Sequence, residues 1–182
     1  CHFFRRKYSG SALQTALNHN GAFGDKKLGD STKRLVVPAY NLGQDKVRVF
    51  KTPHHERLTT DWQIPAWKVA MATSAAPTFF PACLIDGGVW ANNPTVVGIA
   101  EAVSMLGCQL DDIRVLSIGT TDARVKRGRN LDGGGIFQWL RRRDVLDILM
   151  RGQSVGTNGL AAHLVGPDNI VRIDPVVPEV FT

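Results

Sequence analysis

The amino-acid sequence predicts an α/β fold with a mostly parallel sheet. Segments with strand patterns alternate with segments of helical periodicity along the chain, which is typical of a layered α/β architecture. Residues 112–120, "DIRVLSIGT", form a nearly continuous apolar run that ends in Gly119, which is typical of a parallel strand buried on both faces. The 182 residues are 43% hydrophobic and 21% charged. This length and composition favour one soluble globular domain with a sizeable core.

The N-terminal half predicts one helix and a β-hairpin. Residues 10–19, "GSALQTALNH", place leucines and alanines on one helical face. Residues 33–42 and 45–52 read as two strands joined by a tight turn, in which Gly43 can take a positive φ. Pro38 cannot donate a ladder hydrogen bond, so the first of these strands is expected at a sheet edge or a bulge.

The remaining elements follow from apolar periodicity and from the residues that start and stop helices. Asn93 suits a helix cap, Pro94 a first helical position and Gly107 a helix stop. The predicted helices cover residues 64–77, 94–106 and 135–154, and the predicted strands cover residues 82–86, 112–120 and 169–174.

Composition narrows the function classes. No apolar stretch approaches the roughly 20 residues that a membrane-spanning helix needs, and the N-terminus lacks a signal-peptide pattern. The three cysteines, Cys1, Cys83 and Cys108, have no metal-ligand spacing, which favours free thiols in a reducing compartment. We therefore expect a cytoplasmic protein, with peripheral membrane contact left open.

The net charge of +6 is concentrated in part in two basic runs, "ARVKRGRN" at 123–130 and "RRRD" at 141–144. Such runs are most often solvated faces, and otherwise they contact anionic lipid or nucleotide. No nucleic-acid motif or interleaved aromatic pattern accompanies them. The sequence therefore predicts no nucleic-acid partner.

The candidate catalytic residue is Asp86, in the stretch "LIDGGVWANNP" at 84–94. A strand delivers this aspartate and a capped helix follows it, and catalytic groups of α/β proteins gather at the carboxyl ends of strands. An Asp-Gly turn is also common in inert proteins, so these residues alone leave both readings open. Asp132 lies in a second Asp-Gly-Gly sequence with no strand before it, and we interpret that segment as a linker.

Two other candidates are weaker. Ser154 lies in "GQSVG", a literal match to the G-x-S-x-G nucleophile motif, but amphipathic helix rather than strand precedes it. The pair His54 and His55 lacks a third ligand at a convincing spacing, so no metal site is predicted. We therefore expect neither a nucleophile at Ser154 nor a histidine-based triad.

Several stretches in the right order resemble patatin-like phospholipases. The main one is residues 67–102, "WKVAMATSAAPTFFPACLIDGGVWANNPTVVGIAEA", and the family's pattern is A-T-S-A-A-P-x-x-F-P, D-G-G and N-N-P. Residues 23–42, 47–52 and 115–120 also look like family segments. The resemblance implies a three-layer α/β/α core with a mostly parallel sheet, of which residues 1–182 would be the C-terminal portion of a single domain. It also implies a Ser-Asp dyad that hydrolyses acyl esters of phospholipids and other lipids without a cofactor, with Asp86 as the base.

The chain departs from the family in one respect. The family's glycine-rich oxyanion loop and nucleophile elbow precede the D-G-G block, and this chain begins after the place where they are expected. The expectation is that residues 1–182 carry the dyad aspartate without its serine and are inactive alone. The alternative is a catalytically inactive module that senses a ligand or binds a membrane or nucleotide.

Overall fold

The structure is a computed structural model that describes residues 10–19, 22–74, 84–120, 122–123 and 144–177. The chain divides into two compact units, here called the first unit (Cys1–Asn92 with Ser104–Leu106) and the second unit (Asn93–Val103 with Gly107–Thr182). The helices in the described ranges are α1 Gly10–Asn18, α2 Ala66–Ser74, α3 Gly88–Ala91, α4 Thr95–Leu106 and α5 Asp144–Val165. The strands are β1 Val36–Asn41, β2 Lys46–Lys51, β3 Leu84–Asp86, β4 Val115–Ile118, β5 Asp122–Ala123, β6 Ile170–Ile173 and β7 Val176–Val177.

The first unit contains an antiparallel sheet in the order β2-β1-β3. The predicted hairpin of β1 and β2 is confirmed, with Val36 opposite Lys51 and Asn41 opposite Lys46. The positive φ in its turn belongs to Asp45, at 51°, rather than to Gly43. Asp is one of the few residues besides glycine that tolerates the left-handed region.

The edge position expected from Pro38 was wrong, because β1 is the middle strand of three. The pairing with β3 covers only residues 39–41, so it stops one residue short of the proline. The missing N–H of Pro38 therefore removes no ladder hydrogen bond on that side. The proline is tolerated because β3 ends there and the chain turns away.

The core of the first unit lies between the sheet and α2. Its buried members are Leu28, Ala39, Phe50, Val69 and Ala72. The helix α2 contributes two small or branched apolar side chains at i and i+3, which places them on one face toward the sheet. This packing fixes β1 against α2, and β1 in turn positions the residues around Asp86.

The second unit contains a parallel pair, β4 and β6, joined by a crossover through α5. Its core consists of Ile99, Ala161 and Val165, from α4 and α5. Gly107 closes α4 in the left-handed conformation, with φ 68°, as the sequence predicts. A short second parallel pair joins β5 and β7.

The predicted α/β class is confirmed, but the expectation of a mostly parallel sheet is only partly met. Two of the four strand pairings in the described ranges are antiparallel and two are parallel. Burial of β4 on both faces was wrong as well, because Leu116 and Ile118 are 63% and 70% exposed. Within the same ranges, no helix combines the length and the apolar character needed to span a bilayer.

Candidate active site

Asp86 is the last residue of β3, where it lies opposite Ala39 of the central strand. The backbone turns immediately afterward into the single helical turn of α3. The Gly88 N–H donates to Oδ1 of Asp86 over 2.8 Å, so the carboxylate closes the turn that follows it. The side chain is half-buried. The predicted placement of this carboxylate at a strand end is therefore confirmed.

Gly87 is required by the closeness of β1 rather than by backbone conformation. Its φ of −60° and ψ of −21° are accessible to any residue. A Cβ built at this position would lie 2.2 Å from the carbonyl oxygen of Pro38. The first glycine of the D-G-G sequence thus lets the turn pack directly against the backbone of β1.

Two side-chain hydrogen bonds reinforce this contact. The indole N–H of Trp90 donates to the Ala39 carbonyl oxygen over 2.9 Å. The hydroxyl of Thr73, from α2, donates to the Pro38 carbonyl oxygen over 2.7 Å. Consecutive carbonyls of β1 therefore accept hydrogen bonds from Thr73 of α2 and from Trp90, which lies two residues after the D-G-G sequence. Trp90 thus anchors the turn after Asp86 to β1, and Thr73 anchors β1 to α2.

The electrostatic setting of half-buried Asp86 differs from that of Asp61, a buried aspartate of the first unit. Asp61 is 7% exposed and forms an ion pair with Arg48, while the Lys51 N–H and the Thr60 hydroxyl also donate to it. The Asp61 carboxylate is thus engaged in contacts that hold β2 in place. Among the described residues, Asp86 has no cation partner, and its recorded hydrogen bond uses only Oδ1. A half-buried carboxylate with an oxygen not engaged by these residues can accept a proton or a hydrogen bond.

Ser154 lies within α5, which runs uninterrupted through the "GQSVG" sequence. A nucleophile elbow needs a strand that feeds a tight turn at the start of a helix, and no such turn exists here. The Ser154 hydroxyl accepts a hydrogen bond from Arg172 Nη2 over 3.0 Å. Because a guanidinium donates only, it cannot remove the hydroxyl proton. The prediction that this motif is not an elbow is confirmed.

Sequence reasoning missed a polar network in the second unit that is centred on Arg172. Its guanidinium donates to the Ser117 hydroxyl over 2.8 Å and to Oδ2 of Asp174 over 2.6 Å. The Thr95 hydroxyl donates its proton to Oδ1 of Asn93 over 2.5 Å and lies 3.2 Å from the Ser117 hydroxyl, which can donate to it. The only sequence signal was the alternation of Arg172 and Asp174 with apolar residues in the last strand.

Asn93, which the sequence predicts as a helix cap, does cap α4. It lies one residue before the N-cap position, which Pro94 occupies. The helix α4 begins at Thr95, whose N–H donates to Oδ1 of Asn93 over 3.1 Å. The Asn93 amide group donates to the Ser154 carbonyl oxygen over 3.2 Å, and its side chain is buried. The second asparagine of the N-N-P sequence is thus a structural residue of the second unit.

The two loop histidines line an open cleft of about 630 Å³ in the first unit. His54 Nδ1 lies 2.8 Å from the Thr52 hydroxyl, and His55 Nδ1 accepts the Arg57 N–H over 3.1 Å. Asp86 does not line this cleft. In the part of the chain that the structure describes, no group of three His, Cys, Asp or Glu side chains could hold a metal ion.

Several predicted features lie outside the described residues. These are residues 75–83 of the main family-like block, Asp132, the cationic residues of the two basic runs, Cys1 and Cys83.

Comparison with known proteins agrees with the sequence resemblance. A family model described as "Patatin-like phospholipase" matches residues 1–99. A "cGAMP-activated phospholipase" of Pseudomonas aeruginosa is 32% identical over 92% of this chain and 51% of its own length. One of the same name from Vibrio cholerae is 30% identical over 92% of this chain and 51% of its own length.

Plant proteins also match. "Patatin-like protein 4" of Arabidopsis thaliana is 27% identical over 94% of this chain and 51% of its own length. The chain therefore spans about half the length of the curated relatives that it matches.

Proposed function

Because the chain belongs to the patatin-like phospholipase family, we propose that the protein is a lipid acyl hydrolase in which Asp86 is the base partner of a serine. The observation that carries the proposal is the anchored turn around this carboxylate. Strand pairing to Ala39, the close packing of Gly87 and the Trp90 hydrogen bond all fix its position. A serine hydroxyl is a weak nucleophile and needs a base held within hydrogen-bond reach.

The proposed roles of the carboxylate oxygens differ. Oδ1 accepts the Gly88 N–H and orients the group. Oδ2 would accept the proton of the serine hydroxyl as it attacks the ester carbonyl, and would return it to the departing alcohol. No cofactor enters this chemistry.

The serine is proposed to come from a segment outside these 182 residues. Ser154 does not suit this role, because it lies inside α5 and no strand-fed turn presents its hydroxyl. Without a nucleophile and an oxyanion hole, most transition-state stabilisation is lost. We therefore expect the 182-residue chain to be inactive and a protein extended N-terminally through the elbow to be active.

The test is turnover of phospholipid and short-chain esters by the extended protein and its Asp86→Asn variant. We expect Asp86→Asn to lower kcat by about 100-fold or more. Its stability should change little, because the asparagine oxygen can still accept the Gly88 N–H. The matched controls are Asp112→Asn, at an exposed carboxylate, and Ser154→Ala, and both should keep turnover. Near-normal turnover by Asp86→Asn would exclude the dyad.

Regulation by an anionic nucleotide is a second candidate property, favoured by the names of three bacterial relatives, which are called cGAMP-activated. The basic runs at 123–130 and 141–144 supply cationic side chains for such a ligand or for an anionic membrane surface. An inactive sensing module would bind without turnover. The upstream coding sequence distinguishes an active enzyme from an inactive sensing module, because a glycine-rich loop with G-x-S-x-G supports the enzyme.

A further inference from the structure

The open cleft of about 630 Å³ in the first unit has no role in the proposed chemistry, and Asp86 does not line it. Its volume falls within the roughly 300–1,000 Å³ that is typical of small-molecule sites. The side chains that line it include Leu58, Trp62, His54, His55 and Glu56. This site is called the Trp62 cleft below.

Trp62 is fixed in position while its indole remains accessible. The residue is 41% exposed, although tryptophan is highly buried on average in folded proteins. A Cβ built at Gly29 would lie 2.9 Å from the Trp62 Cβ, so the two backbones pack directly against each other. The adjacent Asp61 is buried and forms an ion pair with Arg48. An accessible indole on a fixed backbone can contact a ligand at little cost in conformational entropy.

The two histidines of the Trp62 cleft are arranged as neutral rings. His55 Nδ1 accepts the Arg57 N–H over 3.1 Å, so this nitrogen carries no proton. His54 Nδ1 lies 2.8 Å from the Thr52 hydroxyl, whose other acceptor, the Leu35 carbonyl oxygen, is 3.5 Å away. The shorter distance is the normal one for a hydroxyl donor, which makes His54 Nδ1 an acceptor as well. Neutral imidazoles add aromatic surface to the cleft without adding positive charge.

The lining of the Trp62 cleft carries a net negative charge. Among the described residues that line it, Glu56 contributes a carboxylate and none is Lys or Arg. The neighbouring Arg57 does not line the cleft, and its guanidinium donates to the Met105 sulfur over 3.4 Å. An indole face together with a carboxylate is a combination that attracts organic cations.

We propose that the Trp62 cleft binds a quaternary ammonium group, through a cation–π contact with Trp62 and electrostatic attraction to Glu56. A trimethylammonium group has no N–H to satisfy, so it can also lie against the apolar side chain of Leu58. The group can come from a free cation such as choline or from the head group of a choline lipid. The proposal does not depend on the catalytic role of Asp86.

Other classes of ligand fit the lining less well. A phosphate would find no cationic side chain among the described lining residues and would be repelled by Glu56. A wholly apolar ligand would remove Glu56 and two imidazoles from water without replacing their hydrogen bonds. The chain's net charge of +6 opposes a cation only weakly here, because salt screens exposed charges beyond about 8 Å.

The proposal can be tested by calorimetric titration of the extended protein with choline chloride, with sodium chloride holding the ionic strength constant. We expect saturable binding, and 3,3-dimethylbutan-1-ol, the uncharged carbon analogue of choline, should bind at least about tenfold more weakly. Trp62→Leu should weaken choline binding by at least about fivefold, whereas Trp62→Tyr retains an aromatic face and should retain most of the affinity.

The carboxylate has its own matched pair of variants. Glu56→Gln should weaken choline binding by about two- to fivefold, as expected for an exposed charge. Asp25→Asn removes another exposed carboxylate of the first unit and should leave choline binding unchanged. Since Glu56 is exposed, its substitution tests the site even if a change at Trp62 disturbs folding, which circular dichroism monitors.

Three results would overturn the proposal: no saturable choline binding, equal binding of choline and its uncharged analogue, or unchanged choline binding by Trp62→Leu in folded protein. Binding of inorganic phosphate in place of choline would make the cleft an anion site and would also overturn it. None of these titrations requires turnover, so the proposal for Asp86 and the proposal for the cleft can fail separately.

Vesicle sedimentation distinguishes the two sources of the cation. If the ligand is a lipid head group, Trp62→Leu should weaken binding of the extended protein to phosphatidylcholine vesicles and leave binding to phosphatidylglycerol vesicles unchanged. If the ligand is a free cation, Trp62→Leu should lose soluble choline and bind both kinds of vesicle as the parent does. Either outcome supports a quaternary ammonium site and identifies its source.

Discussion

Gly87 shows how a single missing Cβ positions the candidate catalytic turn. A methyl group there would lie 2.2 Å from the Pro38 carbonyl oxygen and 2.5 Å from the carbonyl carbon, and backbone atoms cannot move aside cheaply. We expect Gly87→Ala to lower the free energy of unfolding by about 1–3 kcal/mol, as other overpacking substitutions do. Urea unfolding followed by circular dichroism measures this change.

The control for that substitution is Gly43→Ala in the hairpin turn. The nearest atom to a Cβ at Gly43 is 3.5 Å away, in ordinary contact, and the positive φ of this turn belongs to Asp45. Gly43→Ala should therefore change stability by less than about 0.5 kcal/mol. Equal effects of the two substitutions would show that Gly87 does not pack as closely against β1 as described.

Tyr40 provides a pH-dependent prediction in the same strand. A hydrogen bond to the Asp45 carboxylate, with smaller contributions from desolvation and from the charge of Asp45, raises the pKa of Tyr40 above its usual value near 10. Because the folded-state pKa is the higher one, the associated stability is complete below pH 10 and is lost as the pH rises through the raised pKa. Ultraviolet titration of the phenol should show this shift, and Asp45→Asn should return the pKa toward 10. A titration unchanged by Asp45→Asn would contradict the pairing.

At the scale of elements, α5 contains three glycines that no close contact with the described residues requires. A Cβ at Gly152, Gly156 or Gly159 would meet nothing within 4 Å. Glycine inside a helix costs about 0.5–1 kcal/mol relative to alanine. We therefore expect Gly156→Ala to stabilise the 182-residue chain by about that amount in urea unfolding. At a strained nucleophile elbow the same change would be harmful, so a loss of stability would reopen the question of Ser154.

Gly107→Ala is the matched comparison for the helix glycines. Here a Cβ also meets nothing within 4 Å, but φ is +68°. The left-handed conformation costs an alanine about 1–2 kcal/mol, so this variant should be less stable than the parent. Comparing Gly156→Ala with Gly107→Ala thus distinguishes the effect of backbone strain on stability from the effect of the space available to a Cβ.

Local signals predicted the elements well where they were complete within a few residues. The hairpin of β1 and β2, the cap at Asn93 and the stop at Gly107 each follow from neighbouring residues. Signals that depend on distant partners failed. Pro38 looked like an edge residue because the sequence does not show that β3 pairs with β1 only beyond the proline.

For the candidate site, too, only the local features could be predicted from the sequence. The position of Asp86 at a strand end could be predicted from the apolar run before it and the glycines after it. The hydrogen bonds of Thr73 and Trp90 could not be predicted, because their acceptors are carbonyls of β1 that lie 35 and 51 residues away in sequence. In the Arg172 network, the hydrogen bond from Arg172 to Ser117 joins residues 55 positions apart, and no local pattern encodes such a contact.

At the scale of the whole molecule, net charge and its distribution determine which surfaces the protein can approach. The chain carries +6, and three consecutive arginines at 141–143 make up half of that excess. Each cationic side chain near an anionic membrane contributes roughly 1 kcal/mol of attraction. Changing all three arginines to glutamine should therefore weaken binding to phosphatidylglycerol vesicles by about 100-fold at low salt.

The control removes the same charge elsewhere. Changing Lys26, Lys27 and Lys33, which are exposed in the first unit, to glutamine also lowers the net charge by three. If the arginine run is the contact, the lysine variant should lose less than about tenfold, and raising the salt should weaken the parent far more than the arginine variant. Equal losses in a vesicle sedimentation assay would mean that only the overall charge matters. Equal binding by the parent and by the variant without the three arginines would show that the arginine run does not contact the membrane.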